Sequence, residues 1–461
     1  MGRTLWVLRW RPRRRESALA LVGVGLLGAG AQAQTFAYVA DQGGTTVSVL
    51  ETSGDTLVDT VTVGNVPFGL ALTPDGSHVY VANHGSGTVS VLDTPCNLEV
   101  DTVTVGNGPI GVAILPDGSF AYVSNHFDDT VSVIAVATNT VTTTIPVGSR
   151  PHDMAVMPDG SRVYVANNNS SDVSVIDTAT STVVATIALG QSPFGITLTP
   201  DGSRAFVTAG FSSFVWVVDT ASNTVSATVN VGSRPFWLAI TPDGSPGGSK
   251  VYVANSFSAD VSVIEVATET VVATVPVGSS PLGVGISPDG SKAYVTSTGS
   301  NTVYVIDTAT DTVTSTVGVG AGPLGAAVGT TRTTVATVAF RNAGANPASL
   351  VSSTAVLGGM LEATVDLTTT GHTMAMLFAF DTPVNLVLGG GQVLLSADSL
   401  SGELLSGAGL GPLGGPTVHF SIAVPSQPVL CGFTSYLQAL HMGGLTPFAL
   451  SNSQDLVLGG S

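Results

Sequence analysis

A chain of 461 residues is long enough for two or three domains, and a hydrophobic content of 44% can fill more than one core. Only 10% of the residues are charged, while Gly, Thr, Ser and Val dominate, which is typical of short strands joined by tight turns and excludes a disordered chain. The excess of 31 acidic over 14 basic residues disfavours nucleic-acid binding, which needs lysines and arginines to displace counterions.

The N-terminal segment has the features of a signal peptide. Arginines between Arg3 and Arg15 precede an apolar stretch at 18–29, and Ala31-Gln32-Ala33 has the small-x-small pattern that a signal peptidase reads. We predict a signal peptide over 1–33, cleavage near Ala33, and a mature protein that is secreted, periplasmic or on the cell surface. The apolar stretch is too short to span a bilayer, and we expect no transmembrane span elsewhere.

A repeat of about 42 residues organises the chain from 34 to 329. The tripeptide Pro-Asp-Gly occurs six times, with its proline at 74, 116, 158, 200, 242 and 288, and an insertion at 245–248 accounts for the one longer step. Two further markers, Gly-x-x-Pro and Tyr/Phe-Val-Ala/Ser/Thr, occur seven times each and in phase. Strict periods of this length are typical of propellers and solenoids.

Each repeat has the pattern of four strands, which we name A to D. In the first full copy, strand A is predicted at 68–73, strand B at 78–83, strand C at 88–92 and strand D at 98–105. Only strand D alternates Thr and Val, as expected of an outer strand with one solvated face. A four-stranded sheet with this period is a propeller blade.

The two ends of the repeat region are incomplete in complementary ways. The region opens with strands B, C and D at 36–63 and ends with an A strand at 324–328. We therefore predict an all-β, seven-bladed propeller with six continuous blades and a seventh assembled from both ends. Such closure removes the free sheet edges that invite aggregation.

The repeats resemble those of a known family. The segments Val-Tyr-Val-Ala-Asn at 79–83 and 163–167, each followed by Asp-Thr after strand C, are similar to the YVTN repeats of YncE-like bacterial β-propellers. The resemblance covers 36–329. It implies an extracytoplasmic binding or adhesion propeller, and it brings no shared catalytic centre.

The connections of a propeller fall on two faces of the disc. The D-to-A and B-to-C loops share what we call the loop face, and the A-to-B and C-to-D turns share the turn face. Twelve carboxylates fall on the turn face, where Asp and Gly satisfy β-turn geometry, and we prefer this interpretation to a cation-binding face.

Two blades depart from the repeat on the loop face. Blade three carries Arg150-Pro151-His152-Asp153, blade five carries Arg234-Pro235-Phe236-Trp237, and the B-to-C loops of blades one and two add two histidines. The ligand-binding candidates are His84, His126, Arg150, His152, Asp153, Arg234, Phe236 and Trp237.

Three interpretations of these residues stay open. Arg150 and Arg234 could clamp a carboxylate or a sulfated sugar, with Phe236 and Trp237 as a stacking surface. The residues could instead be loop packing near the channel mouth. His84, His126 and His152 could hold a transition metal, but they come from separate blades without a local ligand spacing, so we expect no metal centre and no cofactor.

No catalytic motif occurs in the sequence: haem-attachment, nucleophile-elbow, zinc-protease and phosphate-loop patterns are all missing. We predict a secreted or surface-associated binding or adhesion propeller that acts as an interaction scaffold, with a protein or carbohydrate partner at the cell surface. The alternative is an extracytoplasmic enzyme, a hydrolase or a metal-dependent one, that uses the loop face of blades one to three.

A second domain is predicted over 330–461, where the repeat markers end and longer apolar strands are predicted at 361–367, 374–380, 384–388 and 393–396. The pattern favours a β-sandwich of jelly-roll type. Residues 432–439 resemble the end of C-terminal β-domains of secreted planctomycete-type proteins. Cys96 and Cys431, the two cysteines of the chain, could form a disulfide between the domains, and two unpaired thiols are the alternative.

Overall fold

The computed structural model describes residues 34–242 and 249–331 in full and, beyond them, the backbone of nine strands between Val335 and Leu458. The chain divides into two compact units, one of Ala33–Arg332 and one that includes Thr333–Ser461. Strands are the regular secondary structure of the described residues. Among these residues there is no helix with the length and apolarity needed to cross a bilayer.

The propeller unit contains the first 28 strands. They are β1 (Thr35–Asp41), β2 (Thr46–Glu51), β3 (Thr56–Thr62), β4 (Pro67–Leu72), β5 (His78–Asn83), β6 (Thr88–Asp93), β7 (Leu98–Thr104), β8 (Pro109–Ile114), β9 (Phe120–Asn125), β10 (Thr130–Ala135), β11 (Thr140–Pro146), β12 (Pro151–Val156), β13 (Arg162–Asn167) and β14 (Asp172–Asp177). The remainder are β15 (Thr182–Ala188), β16 (Pro193–Leu198), β17 (Arg204–Ala209), β18 (Phe214–Asp219), β19 (Thr224–Asn230), β20 (Pro235–Ile240), β21 (Lys250–Asn255), β22 (Asp260–Glu265), β23 (Thr270–Pro276), β24 (Pro281–Ile286), β25 (Lys292–Ser297), β26 (Thr302–Asp307), β27 (Thr312–Gly318) and β28 (Pro323–Thr330).

These strands form seven four-stranded antiparallel sheets, and each sheet is one propeller blade. Blades one to six consist of consecutive strands, beginning with β4-β5-β6-β7, whereas blade seven has the order β28-β1-β2-β3. Tyr38 of β1 pairs with Ala327 of β28, and the Thr331 N–H donates to the Gln34 carbonyl at 2.9 Å. The predicted closure of the ring by the two ends is therefore confirmed.

The hydrophobic core of the propeller lies between the blades. Seven clusters of buried aliphatic and tyrosine side chains each combine two neighbouring blades, and one of them joins blade six to blade seven. Strand β5 is buried at five of its six positions, and the outer strand β7 at one of its seven. Inner strands are thus covered on both faces, which explains why their sequences lack alternation.

Glycine at the third position of most A strands lets neighbouring blades approach closely at the centre. At each of these glycines a Cβ atom would lie under 3.0 Å from a backbone carbonyl oxygen of the next blade. The residues are Gly69, Gly111, Gly195, Gly283 and Gly325. Blades three and five carry Asp153 and Trp237 at this position instead, so these two side chains enter a region that is otherwise packed backbone against backbone.

Tyrosines of the B strands link neighbouring blades through the C-to-D turns. In five cases the hydroxyl donates to an Asn or Asp side chain of the next blade: Tyr38 to Asn97, Tyr80 to Asn139, Tyr164 to Asn223, Tyr252 to Asp311 and Tyr294 to Asp55. Each acceptor residue has a φ between 49° and 53°, a left-handed conformation that Asn and Asp tolerate better than most residues. One turn position therefore serves both backbone geometry and blade contact.

In the part of the C-terminal unit that the structure describes, nine strands pair in antiparallel fashion. They are β29 (Val335–Phe340), β30 (Leu350–Ser352), β31 (Ala355–Val356), β32 (Met360–Asp366), β33 (Met374–Phe380), β34 (Thr417–Ala423), β35 (Phe433–Met442), β36 (Phe448–Leu450) and β37 (Gln454–Leu458). One sheet has the order β31-β29-β37-β35-β33 with β36 on β35, and the other is β30-β32-β34. The strands predicted at 361–367 and 374–380 match β32 and β33, and those predicted at 384–388 and 393–396 lie outside the described residues.

Candidate functional site

The second residues of the A strands meet at the propeller axis, together with Trp237 from the third position of β20. Ile110, Leu324 and Trp237 form one buried cluster with the half-buried Phe68, Phe236 and Leu282, and His152 and Phe194 join this cluster through ring contacts. All seven blades contribute to it. Because the set consists almost entirely of apolar side chains, the loop-face end of the axis is a packed aromatic and aliphatic plug.

His152 is the polar member of this ring of second residues, and it is only 4% exposed. Burial lowers its pKa to about 3, the nearby His126 acts in the same direction, and a hydrogen bond to the backbone of Phe194 acts against them. Its Nδ1 has no hydrogen-bond partner within the described residues. His152 is therefore a neutral imidazole inside an apolar cluster.

The structure brings the three predicted histidines together, with 6.3 Å between the ring centroids of His84 and His126 and the same distance between His126 and His152. His126 Nδ1 donates to the Pro151 carbonyl at 3.2 Å. At the same loop position Asn168 donates to the Pro193 carbonyl at 3.2 Å and Thr298 to the Pro323 carbonyl at 2.7 Å.

The residue at this loop position thus forms a hydrogen bond with the carbonyl of the proline that begins the next blade's A strand, and His126 is one of these residues. His84 lies against Gly108 of the next loop, its buried Nδ1 has no hydrogen-bond partner among the described residues, and burial lowers its pKa. Burial also lowers the pKa of His126. Both histidines therefore contact the following blade, His126 through a hydrogen bond and His84 through packing.

The rings on the loop face form a continuous aromatic row. We define it as Phe211, Phe194, Phe236, His152, His126 and Phe127, with successive centroid distances of 5.3, 4.8, 5.4, 6.3 and 5.1 Å. The row crosses from the loops of blade four, past the axis, to the loops of blade two. Offset and edge contacts of this kind are the favoured geometries of aromatic pairs.

Asp153 and Trp237 meet beneath the row. The half-buried Asp153 accepts a hydrogen bond from the Ile196 N–H at 3.0 Å, yet burial raises the pKa of its carboxyl to about 7. Trp237 lies close enough to lower that pKa, although its indole nitrogen has no partner of normal hydrogen-bond geometry among the described residues. Trp237 is only 7% exposed, so its expected use as a stacking surface is wrong: its ring belongs to the axial plug.

Arg150 and Arg234 lie apart on the loop face, and both are exposed. Their backbones are left-handed, with φ of 54° and 55°. The guanidinium carbon of Arg234 lies 5.6 Å from the ring centroid of Phe211, whereas Arg150 lies beside His126 and lowers its pKa. The two cations therefore flank opposite parts of the aromatic row, and the described contacts do not show them converging on one point.

Three exposed phenylalanines on this face were not singled out from the sequence. Phe127, Phe211 and Phe257 are 54%, 66% and 77% exposed, and each is the second residue after a B strand. The other blades carry Gly43, Gly85, Asn169 and Gly299 there. An alignment of the repeats by this position would have found them, because Phe is foreign to a solvated loop whose equivalents are Gly or Asn.

The remaining expectations concern metals, turns and cysteines. Within 34–242 and 249–331 no three His, Cys, Asp or Glu side chains are arranged to hold a metal ion. The Pro-Asp-Gly carboxylates accept hydrogen bonds from the serine two residues on, as Asp117 does from Ser119, which supports their role in turn geometry; Asp243 lies outside the described residues. Cys96 is buried, and Cys431 lies outside the described residues, so their pairing stays a prediction.

Comparison with known proteins agrees with the fold. No curated protein matches the sequence. Hydrazine synthase from Kuenenia stuttgartiensis is 24% identical over 56% of this chain and 88% of that chain, with a TM-score of 0.50. A functionally unknown protein from Desulfotomaculum acetoxidans is 20% identical over 64% of this chain and 99% of that chain, with a TM-score of 0.56. At such identities the similarity shows the fold alone.

A family model described as a YNCE-like beta-propeller matches residues 108–211, which span blades two and three and the first two strands of blade four. The matched segment contains the repeat markers that recur in phase throughout 34–329. This match and the seven closed blades confirm the predicted resemblance to YncE-like β-propellers.

Proposed function

We propose that this protein is a secreted or surface-associated binding and adhesion protein, and that the loop face of its propeller is the ligand-binding surface. The observation that carries the proposal is the exposure of Phe127, Phe211 and Phe257 on one face of the disc. Leaving a phenylalanine in water forgoes about 1.5–3 kcal/mol of burial free energy. Exposed aromatic side chains grouped on one face typically mark an interaction surface.

The neighbouring arginines support the same assignment. Arginine and aromatic residues are enriched at binding hot spots, and Arg234 already stacks on Phe211. Their left-handed backbone is a property of the repeat, because Val66, Gly108, Ser280 and Gly322 have the same conformation at the equivalent loop position.

An enzyme that uses the histidines of blades one to three is the weaker candidate. His84 packs against the backbone of the following blade, and His126 donates to it in the manner of Asn168 and Thr298. His152 is enclosed in an apolar plug. The packing of these three histidines against neighbouring blades favours a structural role over a catalytic one.

The proposal also includes export of the protein and a surface-attachment role for the C-terminal unit. The leader at 1–33 supports secretion, and we propose that residues 330–461 form a β-sandwich that attaches the propeller to a cell surface or a carbohydrate. Mass spectrometry of the exported protein is expected to give a chain that begins at Gln34 and, on the predicted pairing of Cys96 with Cys431, has no alkylatable thiol before reduction. Alkylation of both cysteines without reductant would exclude the disulfide, and a chain that keeps 1–33 would exclude cleavage.

The binding face can be tested with an array that carries both surface oligosaccharides and peptides. The full mature chain is expected to bind members of the array, and the double variant Phe211→Ser/Phe257→Ser is expected to lose roughly tenfold or more in affinity. The reason is that both rings would contribute their buried area to the complex and serine would not. The measurement is a titration of each positive array member in solution.

The matched control removes exposed apolar side chains elsewhere. Val184 and Val272 lie on the outer strands β15 and β23 and are 52% and 50% exposed. The double variant Val184→Ser/Val272→Ser is expected to bind as the wild type does. Equal losses in the two double variants, or a wild-type chain that binds no member, would contradict the assignment of the loop face.

A further inference from the structure

The cations of the propeller are distributed in a way that distinguishes its two faces. On the turn face three of them form ion pairs between blades: Arg204 with Glu269, Lys250 with Asp311 and Lys292 with Asp55, at 2.7, 2.7 and 2.9 Å. On the loop face, Arg150 and Arg234 are exposed, and neither forms an ion pair within the described residues. These two guanidinium groups are available to an anionic ligand.

The carboxylates of the loop face already have donors. Asp128 accepts from the Asn107 N–H and Asp129 from the Arg150 N–H, at 2.7 and 2.8 Å. Asp172 and Asp260 each accept from an asparagine side chain at 2.7 Å. Because these hydrogen bonds hold the carboxylates in the loops, the arginine side chains are not drawn into contacts with them.

The acidic turn face lies too far away to repel a ligand on the loop face. The strands between the faces have six or seven residues, which at about 3.3 Å per residue is roughly 20 Å. The Debye length at physiological salt is about 8 Å, so this separation exceeds two screening lengths. Recognition of an anionic group therefore depends on direct contact with the exposed guanidinium groups rather than on the net charge of the chain.

We propose that the loop face binds an acidic oligosaccharide, with sugar rings stacked on Phe211 and Phe127 at the two exposed ends of the aromatic row and their carboxylate groups held by Arg150 and Arg234. This inference rests on the proposed function and names its ligand class. Arg234 flanks the Phe211 end of the row and Arg150 lies beside His126 near the other end. Because the two cations lie beside different ends of the row, one ligand can reach both only if it is extended and carries more than one anionic group.

The surroundings of the row favour a sugar over a folded protein. Exposed amides of Asn169 and Gln191 lie in the loops of blades three and four, between the two exposed ends of the row. Amide groups donate to and accept from sugar hydroxyls, and the half-buried rings offer flat apolar faces. A stable protein interface would need about 800 Å² of contiguous surface with a desolvated apolar centre, whereas here polar loops interrupt the exposed rings.

Two cations are also too few for a nucleic acid. Binding of a phosphate backbone gains most of its free energy from the release of many counterions by lysines and arginines. The sparse carboxylates of an acidic oligosaccharide match two arginines, each of which can bind one carboxylate with two parallel hydrogen bonds.

The test titrates the full mature chain with oligogalacturonate by calorimetry and by tryptophan fluorescence, which reports on Trp237 beneath the row. Methyl-esterified oligogalacturonate, a sulfated oligosaccharide and an acidic peptide are titrated in parallel. We expect binding of the free acid, roughly tenfold weaker binding by Arg150→Gln and by Arg234→Gln, and loss of affinity for the methyl ester. The affinity is expected to fall as salt rises.

Arg162→Gln is the matched control, because it removes a cation from the same blade as Arg150 but at the turn-face end of β13. It is expected to bind as the wild type does. Equal binding of acid and ester, an equal loss in Arg162→Gln, or binding of only the acidic peptide would overturn the ligand class. If array members of another class still require Phe211 and Phe257, the proposed function stands while this inference falls; if no member requires them, both fall.

Discussion

Replacing Gly283 with alanine is expected to lower the free energy of unfolding of the propeller by about 3 kcal/mol or more. A Cβ at this position would meet the backbone carbonyl of Leu324 and the Thr296 hydroxyl, both under 3.0 Å away. Neither group can move freely, because Thr296 donates to the Leu324 carbonyl at 2.7 Å and accepts from the Gly283 N–H at 2.8 Å. The blades would have to separate at the axis.

Denaturant unfolding followed by tryptophan fluorescence measures this effect in the propeller alone, because the mature chain has tryptophan only at positions 216 and 237. The control is Gly318→Ala, at the end of outer strand β27, where a Cβ meets nothing within 4 Å. It is expected to change stability by less than about 0.5 kcal/mol. A Gly283→Ala variant as stable as Gly318→Ala would refute the close packing of the A strands.

Replacing Asp55 with alanine is expected to lower the free energy of unfolding by about 2–3 kcal/mol. Asp55 accepts from the Tyr294 hydroxyl at 2.9 Å and pairs with Lys292 at 2.9 Å, so it joins blade six to the closing blade. Alanine would leave a buried hydroxyl unpaired and would place a poorly suited residue at a φ of 49°. Lys292 is partly exposed and keeps its bond to the Thr52 carbonyl, which limits the loss.

The informative comparison is Asp55→Asn. Asparagine occupies the equivalent turn position at 97, 139 and 223, where it tolerates the left-handed backbone and accepts from tyrosine. The Asn variant is therefore expected to retain most of the stability, losing mainly the charge of the ion pair, about 1 kcal/mol or less. Equal losses in the Ala and Asn variants would show that the charge, rather than the hydrogen bond and the turn, stabilises the closure.

The propeller could be predicted from sequence because each blade repeats the same physical requirements. Pro-Asp-Gly marks a turn, the run around Tyr80 marks a strand buried on both faces, and the missing A strand before Phe36 has one complement at 324–328. Predicted strand boundaries agree with β4 to β7 within one residue. Because the same pattern recurs in every blade, a strand that is ambiguous in one copy can be assigned from the others, which is not possible for a strand that occurs once.

The site was harder to predict because it depends on contacts between blades. The repeat does place His84, His126 and His152 on one face, and the structure brings them together. Their roles depend on the backbone of the next blade, about 25 residues away in sequence, which no local pattern reveals. The burial of Trp237 likewise depends on what faces it across the axis.

The exposed phenylalanines were missed for the opposite reason. The sequences around Phe127, Phe211 and Phe257 contain no signal that distinguishes these exposed phenylalanines from phenylalanines of the core. Only their shared place after a B strand reveals that each ring stands on a loop. Position within the repeat, rather than residue type, carries that information.

The pairing of β1 with β28 also constrains the order of events during folding. The first three strands to be synthesised present an unpaired edge at β1 until residue 330, almost 270 residues after β3, becomes available. A nascent chain must keep that edge from pairing with another molecule throughout the interval. The edge of β1 therefore stays unpaired until β28 is available. Folding of the propeller is completed when these two strands pair, a long-range contact that closes the ring of blades.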